Sequence, residues 1–348
     1  MEALRRTPLA VLPVVALSLW SCGDGGPSST PIPAVDRDAL FVVNGASSTI
    51  SVIDATTLDP AGTIRIEDAA YPHHISLSPD RSSLVVSVPG MDLSEGHGGH
   101  GGGMGGMKAA LMLLDARTGA PRAVREFDGM SHNGAFSPDG AEVWTAQMTE
   151  PGTVTVLDAR TLKSQKTIPV EDMPAEVTFS KDGKYAFAAN GGSNSVTVID
   201  AATKAVVKTV PVGANPVGAW PGNDGVMYVD NEDGKSLTAI DASTHQVLRT
   251  YALGFTPAMA ATAPNGELWV TDTENGKLVF FPAGGTTPQG ELATGAGAHA
   301  IVFSMDGSTS FVTNQNAGTL SVVDVASHSL RKSITVGDKP NGLVFRKN

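Results

Sequence analysis

The chain has 348 residues, 41% of them hydrophobic and 17% charged, a balance that excludes a disordered polyelectrolyte. Acidic side chains number 35 and basic ones 24, a net charge of −11, which argues against a nucleic-acid binder with a basic phosphate-facing surface. A single Cys excludes a disulfide framework and a cysteine-rich metal domain, while 39 Gly and 22 Pro call for many turns, as in an all-β protein of short strands.

Residues 1–21 read as a secretory signal: Arg5 and Arg6 supply the positive start, and Thr7 to Trp20 is uncharged and too short to span a bilayer. The run Leu19 to Cys22, "LWSC", resembles a bacterial lipobox. That resemblance implies lipidation of Cys22 as the first mature residue and a stable membrane anchor. Loss of Glu2, Arg5 and Arg6 with the signal would leave one more negative charge than the −11 of the whole chain. Gly23 after the Cys goes with outer-membrane sorting in such lipoproteins, so a periplasmic or cell-surface location is expected. Residues 22–36, with "GDGGPSSTPIP", read as the lipidated Cys and a flexible tether.

From residue 37 to 348 one unit recurs. "TISVIDATT", "ALMLLDART", "TVTVLDART", "SVTVIDAAT", "SLTAIDAST" and "TLSVVDVAS" are copies, and "KLVFFPAGG" is a degenerate one. Their landmarks are Asp54, Asp115, Asp158, Asp200, Asp241, Pro282 and Asp324, spaced by 61, 43, 42, 41, 41 and 42 residues. Seven copies of about 42 residues, each with four strand signals, predict a seven-bladed β-propeller. Turns of the "SPDG" kind join the first two strands of a copy, and their Asp residues, like those of "VID", are read as ties for their own turn backbone.

"FVVN" (Phe41 to Asn44) and "FVTN" (Phe311 to Asn314), with the "SVID" and "TVPVG" elements, resemble the YVTN β-propeller repeat family over about residues 39 to 348. The resemblance speaks for the fold; the fold itself hosts many activities. The folded part starts on a second-strand motif, "LFVVN", and finishes on a first-strand motif, "PNGLVF". A one-plus-three closure is therefore expected, with Asn341 to Arg346 as the innermost strand beside strands near 39–44, 49–54 and 61–66.

Aligning the starts of the first strands ("PHHISLSPD", "SHNGAFSPD", "PAEVTFSKD", "PVGAWPGND", "PAMAATAPN", "AHAIVFSMD", "PNGLVF") puts His73, His132 and His299 in one column with Ala175, Val217, Ala258 and Asn341. The next column holds His74, Asn133, Glu176, Gly218, Met259, Ala300 and Gly342. First strands line a propeller's channel, so three His share a ring at its mouth. His245 and His328 fall instead in turns between third and fourth strands and read as solvated surface. Adjacent strand residues face opposite ways, so His73 and His74 reach one site only if the strand is distorted.

The spacing of 61 places an insertion, residues 89–108, in the blade that carries His73 and on the same face. Its His97, His100, Met104 and Met107 are separated by Gly, which frees the backbone to wrap a ligand. Imidazole with thioether suits copper, Met favouring Cu(I), whereas zinc has no need of Met.

Three classes of function follow. The first is a lipid-anchored binding protein holding copper through His73, His74, His132 and His299. The insertion then acts as a lid, with Glu176, Met259, Asn133 and Asn341 as further candidates. The second is a propeller enzyme or a non-covalent haem binder using the same His. The ring is similar in kind to the copper cluster of nitrous oxide reductase, but this chain has no Cys for that enzyme's second copper domain. Propeller lactonases place Arg over the channel, and neither mouth column holds one. The third class is a monomeric scaffold for a protein or polymer partner.

Overall fold

Val, Ile and Thr alternate with small residues through the third strands, as in Ser195–Asp200, SVTVID, where every residue but the last is buried. Such strands are covered on both faces, so they must lie inside a stack of sheets. The outermost strands differ: in Ala205–Pro211, AVVKTVP, only Val210 is buried. This gradient from buried to exposed, repeated along the chain, is what a radial array of blades requires.

The computed structural model describes residues 26–93 and 108–348. They form seven antiparallel sheets arranged as a seven-bladed β-propeller, and a short 3-10 turn at Gly191–Ser193 is the one helical element among the described residues. Blade 1 joins Ala39–Asn44, Thr49–Asp54 and Pro60–Glu67 to Pro340–Arg346. Blades 2 to 7 span residues 75–127, 135–169, 174–211, 216–252, 257–293 and 298–335. Apolar clusters fill the seams between neighbouring blades. In the seam of blades 3 and 4, fully buried Trp144 meets the edge of Phe179 at 5.2 Å among Val156, Val177 and Ala186. Truncating such an indole costs about 3–5 kcal/mol.

The expected closure is present. Ala39 pairs with Arg346 and Asn44 with Pro340, so the C-terminal strand completes blade 1 from inside. Arg346 fastens this clasp: its guanidinium lies 5.5 Å from the centre of the Phe41 ring and donates to the carbonyls of Ala116, Val35 and Arg37.

The segment read as a flexible tether differs from expectation from Ser28 onward. Ser28–Thr30 adds a fifth strand to blade 1, pairing with Arg65 to Glu67. Ile32 and Val35 then donate backbone N–H groups to Thr118 and Arg117 of blade 2. Val35 is buried there, which a polar Gly/Ser/Pro composition does not foretell. Cys22 lies outside the described residues.

The turns at the end of the disc away from the His columns are self-contained. Asp54 Oδ1 accepts the N–H groups of Thr56 and Thr57 at 2.8 and 3.0 Å, and Asp200 repeats this with Ala202 and Thr203. Asp241 takes the N–H groups of Thr244 and Ser243, which hold its carboxyl down at about 2. Four residues after each Asp the chain turns left-handed, at Leu58, Gly119, Leu162, Lys204, His245 and His328. His245 and His328 are therefore not solvated surface, as their turn position suggests. His245 packs edge-on against Tyr185 at 4.4 Å, while His328 stacks on Phe280 at 4.4 Å and binds Glu267 through Nε2 at 2.8 Å. Both rings serve packing between blades.

Candidate metal centre at the channel mouth

Each blade's first strand begins at the mouth, and there the pairing with the second strand slips. In blade 4, Pro174 faces Asn190 and Glu176 faces Ala189, leaving Ala175 between them. Blades 5, 6, 7 and 1 break register at the same place. In blade 2, His73 N–H donates to Ser87 O, and Ser87 N–H donates to His74 O, each at 2.9 Å, so two His face one Ser. A bulge of this kind re-aims a side chain and removes the strict alternation of faces. It is the distortion that two adjacent His need in order to share a site.

The result is a cluster of four imidazoles. Ring centres are 4.4 Å apart for His73 and His132, 4.7 Å for His73 and His74, and 4.8 Å for His74 and His132. His299 stands 5.7 Å from His73 and 6.2 Å from His74. Ligand atoms of His73, His74 and His132 all lie within 4.8 Å of one another. His73 and His132 are fully buried and His74 is partly exposed, so the cluster is reached from one side.

Glu176, from blade 4, is buried and bridges two of these rings. Its Oε1 lies 3.0 Å from His74 Nε2 and 2.8 Å from His132 Nδ1. Asn133 locks blade 3 to blade 4: its amide donates to Val177 O at 3.0 Å and accepts from Val177 N at 3.2 Å, with Glu176 Oε2 at 3.4 Å. It positions Glu176. The other two candidates are turned elsewhere. Asn341 Oδ1 accepts from the Gln315 amide, and Met259 Sδ accepts the Ile301 N–H at 3.4 Å in the seam of blades 6 and 7. His97, His100, Met104 and Met107 lie outside the described residues.

Glycine decides two close approaches in the second mouth column. Gly342 N–H donates to His73 O at 2.9 Å, and a Cβ there would meet His74 Cα at 2.9 Å and His73 O at 3.0 Å. Gly218 N–H donates to Asp230 Oδ1 at 3.0 Å, and a Cβ there would lie 2.4 Å from the Trp220 ring.

Asp230 itself escapes the column alignment because it sits on a second strand. Trp220 Nε1 donates to the same oxygen at 2.7 Å, and the Trp220 ring is 6.4 Å from that of His74. Burial first, then the charges of Glu232 and Glu176, push the Asp230 carboxyl well above the usual carboxylate range. Burial thus favours the protonated acid at Asp230, while the two N–H donors on Oδ1 work the other way. The signal in the sequence is "YVDN", an acid at the place where "FVTN" carries Thr313.

The stem of the insertion crosses the mouth. Asp92 pairs with Lys339 of the clasp side at 2.5 Å, while Met91 and Leu93 pack with Met130, Met148, Met173, Ala175 and Val217. Residues 91–93 thus link the clasp side of blade 1 to blades 3, 4 and 5 at the His-bearing end.

No family model matches this chain, and no curated protein matches it in sequence. Solved structures do. The periplasmic gluconolactonase PpgL of Pseudomonas aeruginosa aligns with a TM-score of 0.71 at 20% identity, over 89% of this chain and 99% of its own. A putative 6-phosphogluconolactonase from Bacteroides fragilis aligns with a TM-score of 0.68 at 17% identity, over 90% and 99%. The dihydro-heme d1 dehydrogenase NirN, solved in complex with DHE, aligns with a TM-score of 0.63 at 15% identity, over 91% and 79%. At these identities the likeness establishes the seven-bladed propeller and nothing about the mouth.

Proposed function

We propose that this chain is an extracytoplasmic propeller of the YVTN repeat type that binds one transition-metal ion at its channel mouth. His73, His74 and His132 are the ligands, and copper is the expected ion. The observation that carries this is the convergence of three imidazole ligand atoms within 4.8 Å, drawn from two blades by a bulge, against a buried carboxylate. Glu176 Oε1 lies 3.0 Å from His74 Nε2 and 2.8 Å from His132 Nδ1, which leaves the other nitrogen of each ring for a ligand. A carboxylate that orients imidazoles in this way is the usual support of a metal ligand. Metal–nitrogen bonds of about 2.0–2.1 Å require the nitrogens to draw in to roughly 3.3 Å in a tetrahedral site. Imidazole accepts copper, zinc, nickel and iron alike, so the preference for copper rests on the Met and His of the insertion.

In this reading a lipid on Cys22 anchors the disc to a membrane, and the protein works as a monomeric carrier or store. The experiment is metal analysis of the protein purified without a polyhistidine tag, followed by titration with Cu(I), Cu(II) and Zn(II). Stoichiometric uptake is expected, and His73→Ala with His132→Ala should weaken it at least a hundredfold while the fold persists. Uptake that ignores both substitutions would sink the reading.

A second reading, a propeller enzyme at the same mouth, is favoured by one observation. Burial favours the protonated acid at Asp230, within reach of the charge of Glu176, and a buried acid beside a second carboxyl is raw material of acid–base catalysis. Lactone hydrolysis is the activity to assay first, given the two lactonase structures of like fold. A Soret band after haem titration, abolished by His73→Ala, would redirect the reading to a haem protein.

A further inference from the structure

The apolar cluster at the His-bearing end has an unusual make-up. Among the described residues there are eight Met, and four of them, Met91, Met130, Met148 and Met173, meet in this one cluster with Leu93, Ala175 and Val217. None of the four lies in a strand; each comes from a separate connection at the His-bearing end. Met130 and Met148 are buried and joined by a backbone bridge, Met148 N to Met130 O, of 3.0 Å. Met91 and Met173 are half-buried.

The seams of the blades show what a purely structural cluster looks like in this protein. The largest, between blades 1 and 2, is built from Val, Ile, Leu, Ala and Phe with Met112 as its one Met. Branched side chains hold a fixed shape, whereas Met specifies shape poorly and brings a polarisable sulfur. Four loops that converge on thioethers give up packing definition and gain soft, neutral donors. Soft thioethers select monovalent copper, while imidazole and carboxylate suit divalent ions. The two donor sets are also neighbours along the chain. Ala175 of the Met cluster directly precedes Glu176, Met130 stands two residues before His132, and Val217 belongs to the column of His73.

We propose that Met91, Met130, Met148 and Met173 form a second metal site, selective for Cu(I), through which the ion passes to the imidazoles below. This rests on the metal-binding reading of the mouth and adds the oxidation state of the cargo. Copper arrives and moves on as Cu(I), so no electron changes hands. Residues 91–93 form one wall of the site: the Asp92–Lys339 pair fixes one side, and Leu93 is anchored in the cluster.

The test uses the full chain with Met91, Met130, Met148 and Met173 all changed to Leu, which keeps the apolar volume and removes the sulfur. Ag(I) serves as a redox-inert probe, beside Cu(I) measured against bicinchoninate. Loss of one equivalent of Ag(I), a tenfold or greater fall in Cu(I) affinity and unchanged Zn(II) uptake are expected. Sulfur scatterers around bound Cu(I) should vanish from the X-ray absorption spectrum in the same variant. If the fourfold variant does not fold, Met91→Leu with Met173→Leu, the half-buried pair, should give the same loss in part. Ag(I) and Cu(I) binding within twofold of wild type, with Zn(II) uptake intact, overturns this proposal alone. Cu(I) uptake that falls in the fourfold Met variant but ignores His73→Ala with His132→Ala overturns the imidazole reading instead.

Discussion

The two ends of the disc are made from the same repeat and have been used in opposite ways. At the turn end each Asp landmark is tied within its own turn, while contacts such as His328 to Glu267 join neighbouring blades. Asp54, Asp200 and Asp241 bind N–H groups two and three residues ahead, and Asp80, Asp139, Asp182 and Asp306 bind a Ser two residues back. At the mouth end the bonds run between blades: Ser87 Oγ to His132 O, Asn133 to Val177, Glu176 to His74, and Thr313 Oγ1 to Asn341 O. Local bonds let a motif repeat unchanged. Bonds to a neighbour let each copy differ, and chemistry then collects where the copies differ.

That contrast can be broken outright by removing residues 340–348. Blade 1 loses its inner strand and the Arg346 fastening, so both ends should fail together. No cooperative thermal transition is expected for the truncated chain, and a transition within a few degrees of wild type would show that the ring closes some other way.

Smaller changes separate the ends. Asp230→Asn touches only the mouth. In the wild type the folded chain keeps a proton on Asp230 that the unfolded chain releases above about pH 4. Its contribution to stability therefore falls as pH rises from about 4 toward the raised folded value. The Asn variant keeps an acceptor for Gly218 and Trp220 and has no proton to lose. Denaturant midpoints should be higher than wild type at pH 7 and converge with it near pH 4; parallel profiles would mean that Asp230 is ionised in the fold.

Asp241→Ala, at the turn end, is the mildest test. Two backbone N–H groups lose their acceptor in an exposed turn, worth about 0.5–1.5 kcal/mol. The wild-type advantage is present above the unfolded value near 4 and disappears as pH falls through about 2. Metal uptake should not change. A variant that lost metal would deny the independence of the two ends.

How far the sequence discloses each end follows from the same contrast. Self-contained turns carry their partners within a few residues, so the Asp landmarks expose the repeat, and the strand motifs "LFVVN" and "PNGLVF" at its two limits expose the closure. The two mouth columns are legible because His73, His132 and His299 align, and Glu176 stands out in the second column as an acid. The bulge that brings His73 and His74 together is not legible, since it depends on which residues of the second strand they face. Asp230 is hidden because its strand is a second strand, one layer back from the channel, and only its departure from Thr in "YVTN" betrays it. His245 and His328 mislead for a related reason. A turn position in a repeat looks exposed until the adjoining blade lays Tyr185 or Phe280 against it. The strand at Ser28–Thr30 is short and polar, and its edge partner lies far along the chain.

The clasp sets a timetable as well as a shape. Ala39–Asn44 is made early and its inner edge is finished only by Pro340–Arg346, the last strand of the ring. Until that strand emerges, an edge of buried-type residues stands open to any passing strand, a recognised hazard for aggregation. A chain built this way cannot commit to its native ring during synthesis. That delay makes the seven-residue strand Pro340–Arg346 the step on which closure of the ring depends.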